Sequence, residues 1–153
     1  MQLNNLTLAY LLEEIKPIVL DGFVNKIQEI GNGIFKIKIH SKQGTKDLLV
    51  TDSALFFTHY GLEVRQNPNQ FFASLKKYLL NKKILSITQK DFDRVVVLEL
   101  HDYFLIVEFF HKSNVILTDK NYSIIAVFKK DETKTRTLAR NKPYSFPQIK
   151  GKN

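Results

Sequence analysis

The chain has 153 residues, 44% of them hydrophobic, enough to bury one good core and to predict a single domain. It has no cysteine, which excludes a disulfide framework, a thiolate zinc site and a cysteine nucleophile, and fits a reducing compartment. Its net charge of +8 is uneven, because eight basic side chains face only two acidic ones between Lys129 and Asn153. Such asymmetry points to a polyanion partner, nucleic acid ahead of an anionic membrane, with a solvated tail as the plainer alternative.

The first predicted element is an amphipathic helix. Leu8, Leu11, Leu12, Ile15 and Val19 recur at helical spacing, with Glu13, Glu14 and Lys16 on another face. Asn4 or Asn5 caps it, Pro17 kinks or ends it, and Asp21–Gly22 turns the chain. The period then changes to two. FVNKIQEI and IFKIKIHSK form a hairpin turning at Gly31–Asn32–Gly33, with Phe35, Ile37 and Ile39 inward and Lys36, Lys38 and His40 in water. KDLLVT and ALFFTHY add two short strands. A second helix follows, with Phe71, Phe72, Leu75, Tyr78 and Leu79 buried, Pro68 at its first position and Asn81 as its left-handed cap. Lys76, Lys77, Lys82 and Lys83 mark its outer side. The strands ILSITQ, RVVVLEL, YFLIVEFF, NVILTD and SIIAVFKK then run as a meander. Their apolar runs are unbroken, so cover on both faces is expected. After Lys130 the chain is polar and contains proline, and is expected to wrap the sheet loosely or be disordered. The fold class is α+β, β-dominated: an antiparallel β-sandwich or open barrel with two packed helices.

No enzyme site emerges. His40, His59, His101 and His111 are scattered without metal-ligand spacing, and no nucleophile elbow, Walker loop or dinucleotide fingerprint is present. Glu13 and Glu14 are adjacent on a helix and diverge, unlike a paired acid and base. No metal or cofactor is expected. No stretch approaches the roughly 18 apolar residues of a membrane span. The opening MQLNN lacks the basic region of a signal peptide, so a soluble, cytoplasmic protein is expected. For nucleic acid, lysines supply cations, and Phe56, Phe57, Tyr60, Tyr103 and Tyr144 offer rings for stacking, although core packing is the commoner use of each. The unusual feature is Asp93–Arg94, side by side where RVVVLEL begins. An exposed ion pair there is worth under about 1 kcal/mol.

Those residues sit in a longer pattern. LKKYL (75–79), ILSITQKDFDR (84–94) and EFFHKSNVILTD (108–119) occur in order, preceded by DGFVNKIQEI (21–30) and DLLVTDSALFFTHY (47–60) and followed by NKPYSFP (141–147). Together they resemble the N-terminal domain of the NFACT family, the fibronectin-binding-protein-A-like proteins that include the ribosome-associated quality-control factor RqcH. The resemblance implies a domain over residues 1–147 and a flexible basic tail at 148–153. It implies a fold similar to the N-terminal domain of formamidopyrimidine-DNA glycosylases. Their catalytic Pro–Glu start is replaced here by Met1–Gln2, so glycosylase activity is not expected. It further implies a non-enzymatic protein that binds tRNA and the large ribosomal subunit obstructed by peptidyl-tRNA, with Asp93 and Arg94 as the pair needed for tRNA handling. Lys112 and Asn114 match a second motif. Lys76 and Lys77 stand in the helix motif, where Lys76 replaces the usual Arg. Thr7 stands where the family often has an acid. Lys134, Arg136, Arg140 and Lys142 supply further cations. The family continues into helix-hairpin-helix, coiled-coil and C-terminal domains, expected here on another chain or in a longer parent. The alternatives are a DNA-binding module on an inactive glycosylase-like fold and a fibronectin- or protein-interaction domain.

Overall fold

The computed structural model describes residues 4–110, 112–132 and 136–147. Lys134 and the 148–153 tail lie outside them. Helix α1 (Asn5–Val19) begins where the Asn4 side chain accepts the Thr7 amide at 2.7 Å. Leu8, Leu12, Ile15 and Val19 form its buried stripe. Pro17 falls in its last turn and the helix stops two residues later, as a ring without an N–H requires. Gly22 then brings the backbone against the sheet: a Cβ there would stand 2.6 Å from Ile39 Cγ2.

Strands β1 (Phe23–Gly31), β2 (Ile34–Ser41), β3 (Gly44–Val50) and β4 (Leu55–Thr58) form an antiparallel sheet in sequence order. Phe35, Ile37 and Ile39 face inward with Leu48 and Val50, as period two demands. Lys36 departs from expectation. It is only 7% exposed, with its ammonium 3.8 Å from Asp47.

Helix α2 (Gln70–Leu79) is capped by Asn69, whose side chain accepts the Phe71 amide at 2.9 Å. Pro68 therefore precedes the cap and is not the first helical residue, because the asparagine has the oxygen that the helix start needs. Asn81 ends the helix region at φ 66°, the expected left-handed turn.

Strands β5 (Ile84–Gln89), β6 (Val95–Leu100), β7 (Tyr103–Glu108), β8 (Asn114–Asp119) and β9 (Ile124–Val127) form a second antiparallel sheet, again in sequence order. The unbroken apolar runs divide by face. Val96, Leu98, Leu105, Val107, Val115 and Leu117 join both helices and the first sheet in one core. Val95, Val97, Ile106, Ile116 and Ile124 face the other way under Leu138 and Tyr144.

The cover on that second face comes from residues expected to be loose or disordered. A small hairpin, β10 (Asp131–Glu132) with β11 (Thr137–Leu138), leads into a strap that runs to residue 147. Arg136 meets Glu108 with both nitrogens at 2.7 Å, and the Tyr144 hydroxyl donates to the same carboxylate at 2.6 Å. Tyr122, Tyr144, Phe146 and Phe104 pack ring on ring beside them. Among the described residues the fold is α+β and β-dominated: two main antiparallel sheets, the small β10–β11 hairpin and two helices, with no closed barrel.

Candidate nucleic-acid interface

The Asp93–Arg94 pair is built by the turn that joins β5 to β6. After Gln89 the chain makes one 3-10 turn (Lys90–Phe92), with Asp91 in the left-handed region at φ 49°. The Asp93 amide closes it on the Lys90 carbonyl at 2.9 Å. Asp93 then accepts the backbone amide of Arg94 at 2.8 Å, so its carboxylate fixes the chain where the strand starts. Arg94 enters the ladder: its carbonyl accepts the Phe109 amide at 2.9 Å.

The two side chains do not form the ion pair that adjacency suggests. Among the described residues, the Arg94 guanidinium has no carboxylate partner. It lies over the Phe110 ring at 5.1 Å, and Lys90 lies over Phe146 at 4.8 Å. Both rings belong to the apolar layer on the outer face of the second sheet. A cation held on a ring keeps its N–H donors turned to solvent and loses little side-chain freedom on binding.

Gln89 ties this turn to the start of α1. Its amide nitrogen donates to the Asp93 carbonyl at 2.7 Å and to the Asn5 carbonyl at 2.9 Å. The exposed Thr7 therefore sits in the helical turn bridged to Asp93. Lys112 is exposed in the turn after Phe110. Asn114 is 5% exposed and bonded through both ends of its amide: it donates to the Lys129 carbonyl at 2.8 Å and accepts the Lys129 and Val115 amides, both at 2.9 Å. Its place is a clamp between the start of β8 and the chain after β9.

The remaining expected cations lie elsewhere. Lys76 and Lys77 are in the second half of α2, whose Tyr78 ring meets Tyr103 at 5.4 Å, at the far end of β6 and β7. Lys142 is beside Ile124, where β8 turns into β9, and Arg140 is exposed nearby. Arg136 is not a solvent-facing cation, since Glu108 holds it in a buried pair. Burial opposes its charge, but the Glu108 hydrogen bonds and field outweigh that and hold its proton more tightly than usual. Gln89, Lys90, Phe110 and Phe146 were not singled out from the sequence. Gln89 stands inside the ILSITQKDFDR motif and could have been found there, whereas the rings gain meaning only from the packing.

A polar cleft of about 180 Å³ opens between the β1–β2, β3–β4 and β7–β8 turns, with Asp52, Glu108, Ser113 and Lys129 in its wall. Among the described residues, no three His, Asp or Glu side chains are placed to hold a metal, and no helix is long and apolar enough to cross a membrane.

Residues 4–153 match the family described as NFACT N-terminal and middle domains. The chain belongs to the NFACT family. This NFACT chain is 29% identical over 163 residues to the archaeal Rqc2 homolog aRqcH of Methanocaldococcus jannaschii, with 99% of the chain aligned and 24% of the relative covered. It is 32% identical over 133 residues to ribosome quality control complex subunit 2 of Saccharomyces cerevisiae, covering 82% of the chain and 13% of that protein. Solved structures share this fold. The N-terminal domain of fibronectin-binding protein PavA from Streptococcus pneumoniae superposes with a TM-score of 0.88 at 25% identity, covering 95% of this chain and 62% of that one. The N-terminal part of the Streptococcus suis fibronectin/fibrinogen-binding protein gives 0.89 at 24% identity, over 95% and 61% of the two chains, and shares the fold. The NFACT chain thus spans a quarter or less of the archaeal and yeast relatives.

Proposed function

We propose that this chain is the tRNA-binding N-terminal domain of a ribosome-associated quality-control factor, working without catalysis on large subunits that retain peptidyl-tRNA. Names such as ribosome quality control complex subunit 2 support the setting. The observation that carries the molecular part is the Arg94 guanidinium, laid on Phe110, with no carboxylate partner among the described residues, and joined through Gln89 to the turn that bears Thr7. Arg94 forks to a phosphate or stacks on an unpaired base, and Asp93, besides shaping the turn, offers its second oxygen to a ribose 2′-hydroxyl. The acid that the family often has at the Thr7 position is absent, so a hydroxyl takes its place. Lys90 and Lys112 supply flanking positive charge.

Competition on the intact chain tests this reading. Labelled tRNA, followed by fluorescence anisotropy, should be displaced by unlabelled tRNA at far lower concentration than by duplex DNA, because a 2′-hydroxyl contact has no counterpart in DNA. Equal displacement by the two would leave a generic phosphate binder, as expected of a glycosylase-like DNA-binding module. The names of the solved neighbours favour a second reading, a fibronectin-binding surface. It predicts fibronectin binding insensitive to salt and unaffected by tRNA.

A further inference from the structure

A second basic surface lies away from the Asp93–Arg94 turn, on the outer face of the first sheet along its β1 edge. Strand register gathers it. Lys26 pairs with Lys38 and Phe23 pairs with His40 across β1 and β2, which puts each pair on one face. Residues 81–84 run alongside β1: the Asn81 amide donates to the Val24 carbonyl at 2.7 Å, the Val24 amide to the Lys82 carbonyl at 3.0 Å, and Phe23 bridges to Lys83. One row across the sheet therefore reads Lys83, Phe23, His40, and the next reads Lys26, Lys38.

Two open clefts flank these rows. One of about 390 Å³ is lined by Asp21, Phe23, His40, Ser41, Lys42 and Lys83. The other, about 240 Å³, lies between Lys26 and Lys76, over Asn25, Gln28 and Leu80. Two acids adjoin the rows: Asp21 is 3.6 Å from Lys83, and Asp47, opposite Lys38 on β3, turns its carboxylate to Lys36 at 3.8 Å. Phe23 is 48% exposed at the centre, although the next two apolar residues of its strand, Val24 and Ile27, are buried. A sheet face with an open ring among spaced lysines is the arrangement by which sheets bind unpaired nucleic acid: bases stack on the ring and cations follow the backbone.

We propose that this face binds a single-stranded RNA segment, with a base on Phe23 and phosphates along Lys26, Lys38, Lys42 and Lys83. The site does not rest on Arg94. Its readout is an unstructured strand, whereas the Arg94 reading is tested on folded tRNA, so either can fail alone.

The test uses the intact chain and a labelled oligouridine of about 12 nucleotides, within the usual reach of such platforms. Phe23→Ala should weaken binding about tenfold with the salt dependence unchanged, as loss of one stacked base does. Lys26→Ala with Lys38→Ala should weaken it and reduce the slope of log affinity against log salt by about 1.4, the value for two single-strand phosphates. Lys16→Ala, a lysine of α1 outside this face, should change it less than twofold. As a measurement without variants, ultraviolet crosslinking of thiouridine-containing RNA should mark peptides from residues 23–42. Unchanged affinity in both Phe23→Ala and the lysine pair, or crosslinks confined to other peptides, would overturn the proposal. So would phosphatidylserine vesicles that bind with the same losses and displace the RNA, because the face would then suit a membrane.

Discussion

Arg136 gives both guanidinium nitrogens to Glu108, whose carboxylate is 1% exposed and also accepts the Tyr144 hydroxyl. Removing one partner of such a pair strands the other charge in the interior, at about 3–5 kcal/mol. Arg136→Ala should therefore lower unfolding stability by about 3 kcal/mol in urea titrations, while Arg136→Met combined with Glu108→Met should cost much less, since no charge is left behind. Tyr144 adds a pH signature. Burial, with the Glu108 carboxylate beside it, pushes its hydroxyl well above the ordinary tyrosine value of 10.0, although Arg136 pulls the other way. Below pH 10 the phenol is neutral whether the chain is folded or not. Above it the unfolded chain ionises first and is favoured, so stability falls as pH rises. Thermal melts between about pH 9 and 11 should show a steeper loss for the native chain than for Tyr144→Phe, and equal slopes would remove the buried phenol from the account. Neither the Arg136 lock nor its consequence was visible in the sequence. A run of basic residues looks the same whether each is solvated or one is claimed by an acid 28 residues earlier.

Among the elements, the link from β4 to α2 depends on one acid in β1. Glu29 is 1% exposed; its carboxylate accepts the Asn69 amide at 2.7 Å and the Gly33 amide at 3.1 Å, and meets Arg65 at 3.3 Å. Its own carbonyl accepts the Arg65 amide at 2.8 Å. Glu29→Gln keeps the shape but weakens these charge-assisted bonds. Amide hydrogen exchange should then quicken through residues 60–72 while the second sheet keeps its protection; uniform quickening would show that Glu29 supports the whole fold instead. The strands themselves were legible. All nine that the alternation and apolar runs predicted are present, in two sheets and in sequence order, because the short turns leave antiparallel neighbours as the simple solution. Period and turn chemistry carry that information locally. The clamps of Glu29 and Asn114 were hidden because the partners that make them clamps, Asn69 and Lys129, are backbone groups far along the chain. The start of α2 lies two residues later than expected, at Gln70 and not Pro68, since Pro68 and Asn69 are both good helix-start residues and only the observed bond chooses between them.

For the whole molecule, the net charge of +8 resolves into separate places. Lys90 and Arg94 stand on aromatic rings at one end of the second sheet, Lys26, Lys38 and Lys83 flank an open ring on the first, and Arg136 is internal. Composition could announce a polyanion partner but not this division, which depends on strand register and on which rings reach the surface. The resemblance in sequence named Asp93 and Arg94, and the fold gives Arg94 a physical setting through Phe110 and Gln89. The most direct measurement is labelled-tRNA binding by the native chain, Arg94→Ala and Lys142→Ala across a salt series. If Arg94 is a recognition residue, Arg94→Ala should cost more than about 1 kcal/mol at every salt concentration, while Lys142→Ala costs only its share of the salt slope. Equal losses that vanish together at high salt would make Arg94 one more surface charge and contradict the account.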